Sequence, residues 1–393
     1  MIKYVLVFLL SAAAVLFLSS CNDNPTAVGL NLLQKDYVNL KQLDSYKDSL
    51  KQVSTNVSYS VPLGSANSIM IGKKDNVQAS ALVSFNGAIP DTIGQDIING
   101  NASVTSSNIV FYKTNVYGDS NAAFDFSVHN ILNSWDATVL DGGNASSLSY
   151  DPVDISSNQV ITDSTISFQI TNSVTTGWMK HLTDTNQASN YGIYITPGSS
   201  SQKVVNFQSI SSGTTGETQL VVVVQKSGVY SDTLYFYPSH YTTIVTGSLP
   251  SVPTGEIAVQ GGLVVNSKLW FDISAIPKNS VINNATLVLT EDTLASIKSS
   301  SPIYTLTLYK LTDSSAVAYD STNPPVVISL SGNTYSGNIA SFVQSWVDTG
   351  TNEGILVQIF DQIDALDLYS FYSSNAADRT LRPRLTITYT TRN

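Results

Sequence analysis

The chain contains one long internal repeat, in which five short patterns occur twice in the same order. Each copy starts with a strand-like run, a loop and an alternating strand that ends in Ile-Pro, and each later presents a Trp followed by a Gly and an apolar run. Because five patterns in one order are far harder to obtain by chance than one, the repeat predicts two homologous modules. The paired stretches are Ser68 to Pro90 with Gly255 to Pro277, Ser106 to Tyr112 with Asn284 to Thr290, Phe124 to Leu132 with Tyr304 to Thr312, Asn172 to Ile195 with Ala340 to Ile359, and Val204 to Gln225 with Leu368 to Thr390.

After Asn56 the chain consists of short runs rich in Val, Ile, Thr, Tyr and Phe, separated by Gly, Asn, Asp, Ser and Pro. This punctuation is typical of an antiparallel β-sandwich. A chain of 393 residues is too long for one such sandwich. We therefore predict an all-β fold of two tandem antiparallel β-sandwich domains, residues 56–228 and 229–393, with the junction between Lys226 and His240.

The N-terminus reads "MIKYVLVFLLSAAAVLFLSSC", with Lys3 before an apolar run from Tyr4 to Leu18. This pattern is typical of an export signal and not of a membrane span. "LSSC" resembles the lipobox of bacterial lipoproteins, which implies cleavage before Cys21 and lipidation of its thiol; the alternative is an ordinary signal peptide that ends near a cysteine. Cys21 is the only cysteine, so the exported domains form no internal disulfide. We expect a signal peptide over residues 1–20 and a tether over 21–55 with at most one short docked helix or strand.

Composition limits the partners. The net charge is −10, the pI is near 4.6 and only 12% of residues are charged. With no basic stripe to neutralise phosphates, nucleic acid is not an expected partner. Lipid on Cys21 would make the membrane a partner, and we expect a lipid-anchored protein of the cell envelope, at the outer membrane on its periplasmic or external face.

Three stretches of the second module together resemble a known family: "SKLWFDISAIPKNSVINNATLVL", "SFVQSWVDTGTNEGILVQI" and "FYSSNAADRTLRPRLTITY". They are similar to the DNRLRE-type β-sandwich domain, a relative of the carbohydrate-binding modules of secreted bacterial proteins. The first module resembles a divergent copy, which keeps "NSWDATVL" (Asn133 to Leu140) but has "TQLVVVV" where Arg-Pro would stand. The resemblance implies a jelly-roll-like fold and, as in some relatives, polysaccharide binding.

The Trp that occurs in both modules is expected to be a packing residue. Val174, Trp178 and Met179 lie at helical spacing, and so do Phe342, Val343, Trp346 and Val347 of the second copy. A one-turn helix closing one end of a sandwich would bury its aromatic residue against both sheets. Recurrence therefore indicates duplication of a fold and not a binding site.

Trp270 lies in a different setting. In "KLWFDIS", Leu269, Phe271 and Ile273 define one face of a strand, and Lys268, Trp270 and Asp272 the other, because strand side chains alternate. The first module has Ser84 in the place of Trp270, so the position is not expected in the core. An outward aromatic beside Lys268 and Asp272 suits stacking against a sugar ring. The alternative is that a loop or the other module covers Trp270.

The same alternation gives weaker candidates. It places His129 and Tyr309 at matching outward positions of the two modules, and Tyr112 outward in its own strand. We include these three side chains among the predicted ligand-binding residues.

The stretch "DQIDALD" spaces Asp361, Asp364 and Asp367 by three. Loop carboxylates hold Ca²⁺ together with backbone oxygens, which makes this a weak candidate for a structural calcium ion. The stretch lacks the alternation and central Gly of a calcium loop. We therefore favour a solvated acidic loop and predict no other metal or cofactor.

The arginines of "DRTLRPRL", Arg379, Arg382 and Arg384, have the bidentate geometry that clamps a carboxylated sugar. In the resembling family Arg-Pro stands at this position whatever the domain binds. We therefore favour a structural role, in which an arginine pairs with a nearby Asp and fixes the entry of the last strand.

Catalytic motifs do not emerge from the sequence. His129, His181 and His240 stand alone, without zinc-ligand spacing, and no Gly-x-Ser-x-Gly elbow occurs. The leading hypothesis is non-catalytic polysaccharide binding on an outer sheet face. The rival is a structural or adhesive protein that recognises another protein through an edge such as Gln219 to Gln225, and the third class is a polysaccharide-cleaving enzyme.

Overall fold

The structure, a computed structural model, describes residues 40–75, 77–208, 218–248, 250–320 and 323–391. It is 50% strand and 10% helix, and its sheets are antiparallel. The prediction of an all-β, antiparallel chain is therefore confirmed. The predicted signal peptide over residues 1–20 and the predicted lipidation site Cys21 lie outside the described residues.

The elements follow one another along the chain as strands with a few short helices between them. The earlier strands are β1 (Leu40–Asp44), β2 (Gln52–Ser58), β3 (Ser68–Lys74), β4 (Val77–Asn86), β5 (Ser103–Tyr117), β6 (Phe126–Asn130), β7 (Ser156–Ile161), β8 (Thr165–Ile170), β9 (Ile193–Pro197), β10 (Val204–Gln208), β11 (Gln219–Lys226) and β12 (Tyr230–Thr246). The later strands are β13 (Glu256–Gln260), β14 (Val265–Phe271), β15 (Ser280–Ile297), β16 (Thr305–Asp313), β17 (Ala318–Tyr319), β18 (Val326–Ser331), β19 (Thr334–Asn338), β20 (Ile355–Ile359), β21 (Leu368–Tyr372) and β22 (Arg384–Thr391). The helices are α1 (Asp91–Ile98), α2 (Asn172–Thr183) and α3 (Ala340–Thr349), and Ala145–Ser147 form a 3-10 turn.

The N-terminal half (β3 to β12) and the C-terminal half (β13 to β22) share eight strand ladders in the same order along the chain. The ladders β3–β4, β3–β10, β4–β9, β5–β8, β5–β10, β5–β11, β6–β9 and β7–β8 recur as β13–β14, β13–β21, β14–β20, β15–β19, β15–β21, β15–β22, β16–β20 and β18–β19. In the C-terminal half, the strands from β15 through β19, β18, β16, β20, β14, β13 and β21 close into a ring, because β21 also pairs with β15. The repeated sequence patterns thus fall on equivalent strands.

Residues 40–58, which we call the closing segment, precede the N-terminal half in sequence but pair with the C-terminal half. β1 lies antiparallel to β22, and β2 lies antiparallel to β14. The sequence predicted a tether through residue 55 with at most one docked element, whereas the structure places two strands here. Ladder hydrogen bonds require few apolar side chains, and in β1 only Leu43 and Asp44 are buried. The apolar pattern of the segment was therefore too weak to indicate strands.

The strand Gln219–Lys226 was predicted as an edge. In the structure this strand, β11, pairs with β12 on one side and with β5 on the other. Its alternation is that of an interior strand: Leu220, Val222 and Val224 are buried. The edge prediction is wrong, because the sequence did not reveal that the chain returns immediately as β12.

Each half has its own apolar core, and a helix closes it. Trp178 of α2 packs into the core of the N-terminal half and Trp346 of α3 into that of the C-terminal half, with 5% and 3% of their surfaces exposed. The packing role predicted for both residues is confirmed, although α2 and α3 have 12 and 10 residues and not a single turn.

After each helix the chain re-enters the sheet through an Asn-x-Gly turn. Asn190 Oδ1 accepts the amide of Gly192, and Asn352 Oδ1 accepts that of Gly354. Both glycines have positive φ, 88° and 91°, a conformation that favours glycine. A Cβ on Gly192 would lie 2.2 Å from Val83 O, and a Cβ on Gly354 2.5 Å from Leu269 O. The two turns are thus geometric equivalents.

The two halves pack against each other through a third apolar cluster that includes Leu63, Met70, Tyr117 and Leu366. Polar contacts surround this cluster. They join Asn67 and Ser68 to Asp364, Asn115 to Ser299, Ser300 and Ser301, and Tyr117 to Gln260. The interface therefore combines apolar burial with directional hydrogen bonds.

Candidate functional site

The outer face of the C-terminal sheet carries a cleft of about 320 Å³ beside Trp270. Lys268 and Trp270 contribute side chains two residues apart on β14, which places them on one face. The closing segment supplies the opposite wall with Val53 and Thr55, which pair with Trp270 and Lys268 respectively. Ser314, Asn352 and Glu353 complete the lining. The cleft is therefore built from four separate parts of the chain.

The polar atoms of the two principal side chains are held by neighbouring loops. Trp270 Nε1 donates to Asn352 O at 3.0 Å, and Lys268 Nζ donates to Ser314 O at 2.8 Å. Glu353 Oε2 accepts from the amide and the hydroxyl of Ser314 at 3.1 and 2.8 Å. These bonds fix the indole of Trp270, which is partly exposed.

The N-terminal half contains a related contact made by a different tryptophan. Trp135 Nε1 donates to Tyr191 O at 2.8 Å, in the turn that precedes Gly192. In the C-terminal half the indole of Trp270 reaches the equivalent turn before Gly354. An indole that holds this turn is thus present in both halves, although Ser84 occupies the position equivalent to Trp270.

Tyr309 lies on the same face as Lys268. It pairs with Leu356, which in turn pairs with Lys268, so the three side chains form a row across β16, β20 and β14. The ring of Tyr309 lies 4.4 Å from that of Tyr319, which is exposed. Leu356 is buried although it points away from the core of the half. An aromatic layer therefore covers part of this outer face.

Tyr59 extends the face at the end of the closing segment. Its hydroxyl accepts from Asn266 Nδ2 at 3.0 Å, and 39% of its surface is exposed. Burial raises the pKa of the Tyr59 phenol, so the hydroxyl stays protonated at neutral pH and remains a donor. The face thus presents a hydroxyl and aromatic rings together.

Asp272 lies beyond the cleft, at the end of β14. Its Oδ1 accepts from the amide of Ser274 at 3.0 Å. The hydroxyl and the amide of Ser274 hold the pKa of this carboxyl below its usual value. The structure shows Asp272 capping a turn, and the cleft lining does not include it.

His129 and Tyr112 lie on β6 and β5 of the N-terminal half. The other four predicted ligand-binding residues, Lys268, Trp270, Asp272 and Tyr309, belong to the C-terminal half, whose strands form a different sheet. His129 points away from the core, as alternation predicts, but only 8% of it is exposed because Tyr150 packs 5.2 Å from its ring. Its Nδ1 donates to Asp151 O, and its Nε2 lies 3.0 Å from Ser127 Oγ. The imidazole thus faces outward, as alternation predicts, but the loop that contains Tyr150 encloses it. Tyr112 is partly exposed on β5, opposite Thr165.

The three aspartates that the sequence suggested as calcium ligands, Asp361, Asp364 and Asp367, lie in different environments. Asp364 accepts the amides of Asn67 and Ser68 at 2.6 and 3.1 Å, and Asp361 is exposed. Asp367 accepts the amide of Ser299 and is 1% exposed, and its burial raises the pKa of its carboxyl.

The loop is therefore part of the contact between the halves and not the solvated loop that the sequence suggested. Within the described residues, no group of three or more His, Cys, Asp or Glu side chains is arranged to hold a metal ion.

The arginine loop packs on the closing segment around a second cleft, of about 440 Å³. Arg384 binds Asp44 through Nε at 3.1 Å and through Nη2 at 2.5 Å. Arg379 donates to Ser49 Oγ at 2.9 Å, and Arg382 Nε donates to Ala376 O at 2.7 Å. The structural role predicted for this loop is confirmed for Arg384. This residue begins β22 and pairs with Asp44, the last residue of β1.

Several residues of the outer face were missed from the sequence. Asn266 lies four positions before Trp270 on the same face of β14, so alternation was a sufficient signal for it. Val53 and Thr55 belong to the closing segment and Tyr59 directly follows it, and the sequence carried no indication that this segment crosses to the C-terminal half.

No family model matches the chain, and no curated protein is significantly similar to it. Across the residues described by the structure, none of the helices combines the length and apolar character needed to cross a bilayer.

Proposed function

We propose that this protein is a non-catalytic lipoprotein of the cell envelope that binds polysaccharide on the outer face of its C-terminal sheet. The proposal includes two tandem jelly-roll-like modules of the DNRLRE type and an anchor at Cys21. The observation that carries it is the cleft at Trp270, in which a fixed indole lies beside Lys268, Thr55 and Glu353. An aromatic face next to hydrogen-bonding groups is the combination that recognises a sugar ring.

The chemistry of the face favours a neutral or weakly charged sugar. The ammonium of Lys268 and the carboxylate of Glu353 converge on Ser314, so their charges offset each other within the cleft. Tyr309, Tyr319 and Tyr59 continue the aromatic surface along the sheet. Such a row offers stacking surfaces for more than one sugar unit.

The test is a glycan array with a soluble form that begins at Asn22, followed by titration of any bound polysaccharide. We expect Trp270→Ala to weaken binding about tenfold, since one aromatic contact contributes about 1 kcal/mol or somewhat more. Trp270→Phe keeps a ring but loses the bond to Asn352 O. We expect this variant to retain most of the affinity, because stacking and not the indole N–H contacts the sugar.

Tyr235→Ala provides the matched control, since Tyr235 is an exposed aromatic on β12 of the N-terminal half, with 51% of its surface accessible. The Tyr235→Ala variant should bind the polysaccharide with the same affinity as the unsubstituted protein. An array without any bound glycan, or a Trp270→Ala variant that binds normally, would end the proposal.

The rival function, a structural or adhesive protein that recognises another protein, no longer has β11 as its docking edge, because both sides of β11 are paired. A different observation favours this rival function: the closing segment crosses to the C-terminal half, where β1 pairs with β22 and β2 pairs with β14.

A further inference from the structure

The closing segment occupies the place in the C-terminal half that β12 occupies in the N-terminal half. β12 first pairs with β11 over residues 230–236 and then with β4 over residues 237–246. In the C-terminal half the strands equivalent to β11 and β4 are β22 and β14, and their partners are β1 and β2. The last strand of the C-terminal half is thus supplied from the beginning of the chain.

The correspondence extends to direction and register. β12 runs antiparallel to both of its partners, and β1 and β2 do the same in the same order along the chain. Tyr241 of β12 pairs with Val83, and Ser54 of β2 pairs with the equivalent Leu269. Shortly after β12 passes from β11 to β4, its register against β4 shifts between Pro238 and His240. At the corresponding place the closing segment makes a turn between β1 and β2.

Backbone ladders, the packing of Leu43 and Leu50 on the apolar core of the C-terminal half, and several polar side chains hold the closing segment. Asp44 receives two bonds from Arg384. The amide of Ser54 donates to Ser374 Oγ, and the amide of Ser374 donates to Ser54 Oγ, both at 3.0 Å. β22 and β14 are already paired on their other sides with β15 and β20. They therefore form a receiving site for one strand segment of defined sequence.

None of these contacts depends on which chain supplies the segment. The closing segment joins the N-terminal half through residues 59–67, which span at most about 30 Å when extended. Exchange of an identical element between copies preserves the contacts which that element makes and is a low-cost route to dimers. We propose that the site between β22 and β14 accepts the closing segment of a second copy of this chain, so that two copies associate by exchanging residues 40–58.

Paired cysteines test the exchange, in a soluble form that begins at Asn22 and therefore lacks Cys21, the only cysteine. Gln42 of β1 pairs with Thr388 of β22. One copy carries Gln42→Cys and a second, differently tagged copy carries Thr388→Cys. The two are unfolded, mixed, refolded over a range of concentrations and oxidised. We expect a disulfide between the two tagged copies whose yield rises with protein concentration.

Two controls make the result decisive. A single chain with both substitutions, refolded at high dilution, should form the bridge internally, which shows that the pair is close enough to react. A mixture of the Gln42→Cys copy with a Ser336→Cys copy, whose cysteine lies on β19, should give several-fold less heterodimer. The proposal is overturned if the matched mixture gives no more heterodimer than this mismatched one, or if the doubly substituted chain forms no internal bridge.

Discussion

Gly354 and Gly192 show how much a single position contributes to the site. Both have positive φ, and a Cβ at either would collide with a carbonyl oxygen of the neighbouring strand. We expect Gly354→Ala to lower the free energy of unfolding by at least about 2 kcal/mol, from backbone strain and the displaced strand together. Urea denaturation at neutral pH measures this change.

Gly177→Ala is the matched substitution. Gly177 lies within α2, and a Cβ there would meet nothing within 4 Å. Since alanine is the better helix former, we expect a gain of up to about 1 kcal/mol. Equal urea midpoints for Gly354→Ala and the unsubstituted protein would contradict the strain at Gly354.

At the residue scale, alternation predicted direction but not accessibility. It correctly placed Trp270, Lys268 and Tyr309 on one outer face, because the period of a strand is a local property. It gave the same direction for His129, yet the loop that contains Tyr150 encloses that imidazole. Covering by a distant loop depends on tertiary packing, for which a short sequence window carries no signal.

At the scale of the elements, the bond between Asp44 and Arg384 holds β1 to β22. Arg384 lowers the pKa of Asp44, so this pair stabilises the fold above the unfolded pKa of about 3.9 and loses its effect as the pH falls through the lowered folded value. We expect Arg384→Gln to destabilise the protein by about 1–2 kcal/mol at pH 7, a modest figure because the arginine side chain is 44% exposed.

Urea unfolding at pH 7 and pH 3 measures the effect, which should be smaller at pH 3, because below the unfolded pKa of about 3.9 protonation of Asp44 in the unfolded chain favours unfolding. Arg382→Gln is the control, since Arg382 Nε donates to a backbone carbonyl, and its effect should be independent of pH. A loss for Arg384→Gln that is as large at pH 3 as at pH 7 would show that the ion pair does not hold β1.

The elements that sequence predicted best are those with strong apolar alternation, such as β11 and β22, where every second residue is buried. The two Trp-containing helices were also anticipated, because their apolar spacing is helical. β1 and β2 escaped prediction since backbone ladders and polar contacts hold them. The sequence reveals burial more readily than it reveals pairing.

At the scale of the whole molecule, Asp364 couples the two halves by accepting the amides of Asn67 and Ser68. We expect the unsubstituted protein to unfold in one calorimetric transition. Asp364→Ala removes two hydrogen bonds, one from an exposed and one from a partly buried amide, each with a net worth of about 0.5–1.5 kcal/mol. We therefore expect this variant to unfold in two separated transitions, one for each half, in differential scanning calorimetry.

Asp313→Ala is the comparison, because Asp313 also accepts two amides, those of Ser315 and Ala316, but entirely within one half. Its thermogram should keep a single transition with at most a shifted midpoint. Two transitions in both variants, or in neither, would mean that Asp364 does not carry the coupling.

The crossing of the closing segment also affects the order in which the molecule assembles. Asp44 and Arg384 are 340 residues apart in sequence, and contacts of such high contact order form slowly. During synthesis the N-terminal half has all its strands well before β22 exists, whereas the C-terminal half waits for the end of the chain and must then capture a segment made at the beginning. Until that capture β14 and β22 each expose an unpaired edge, the feature that most readily leads to aggregation. The slowest step of folding is therefore also the one that protects the molecule.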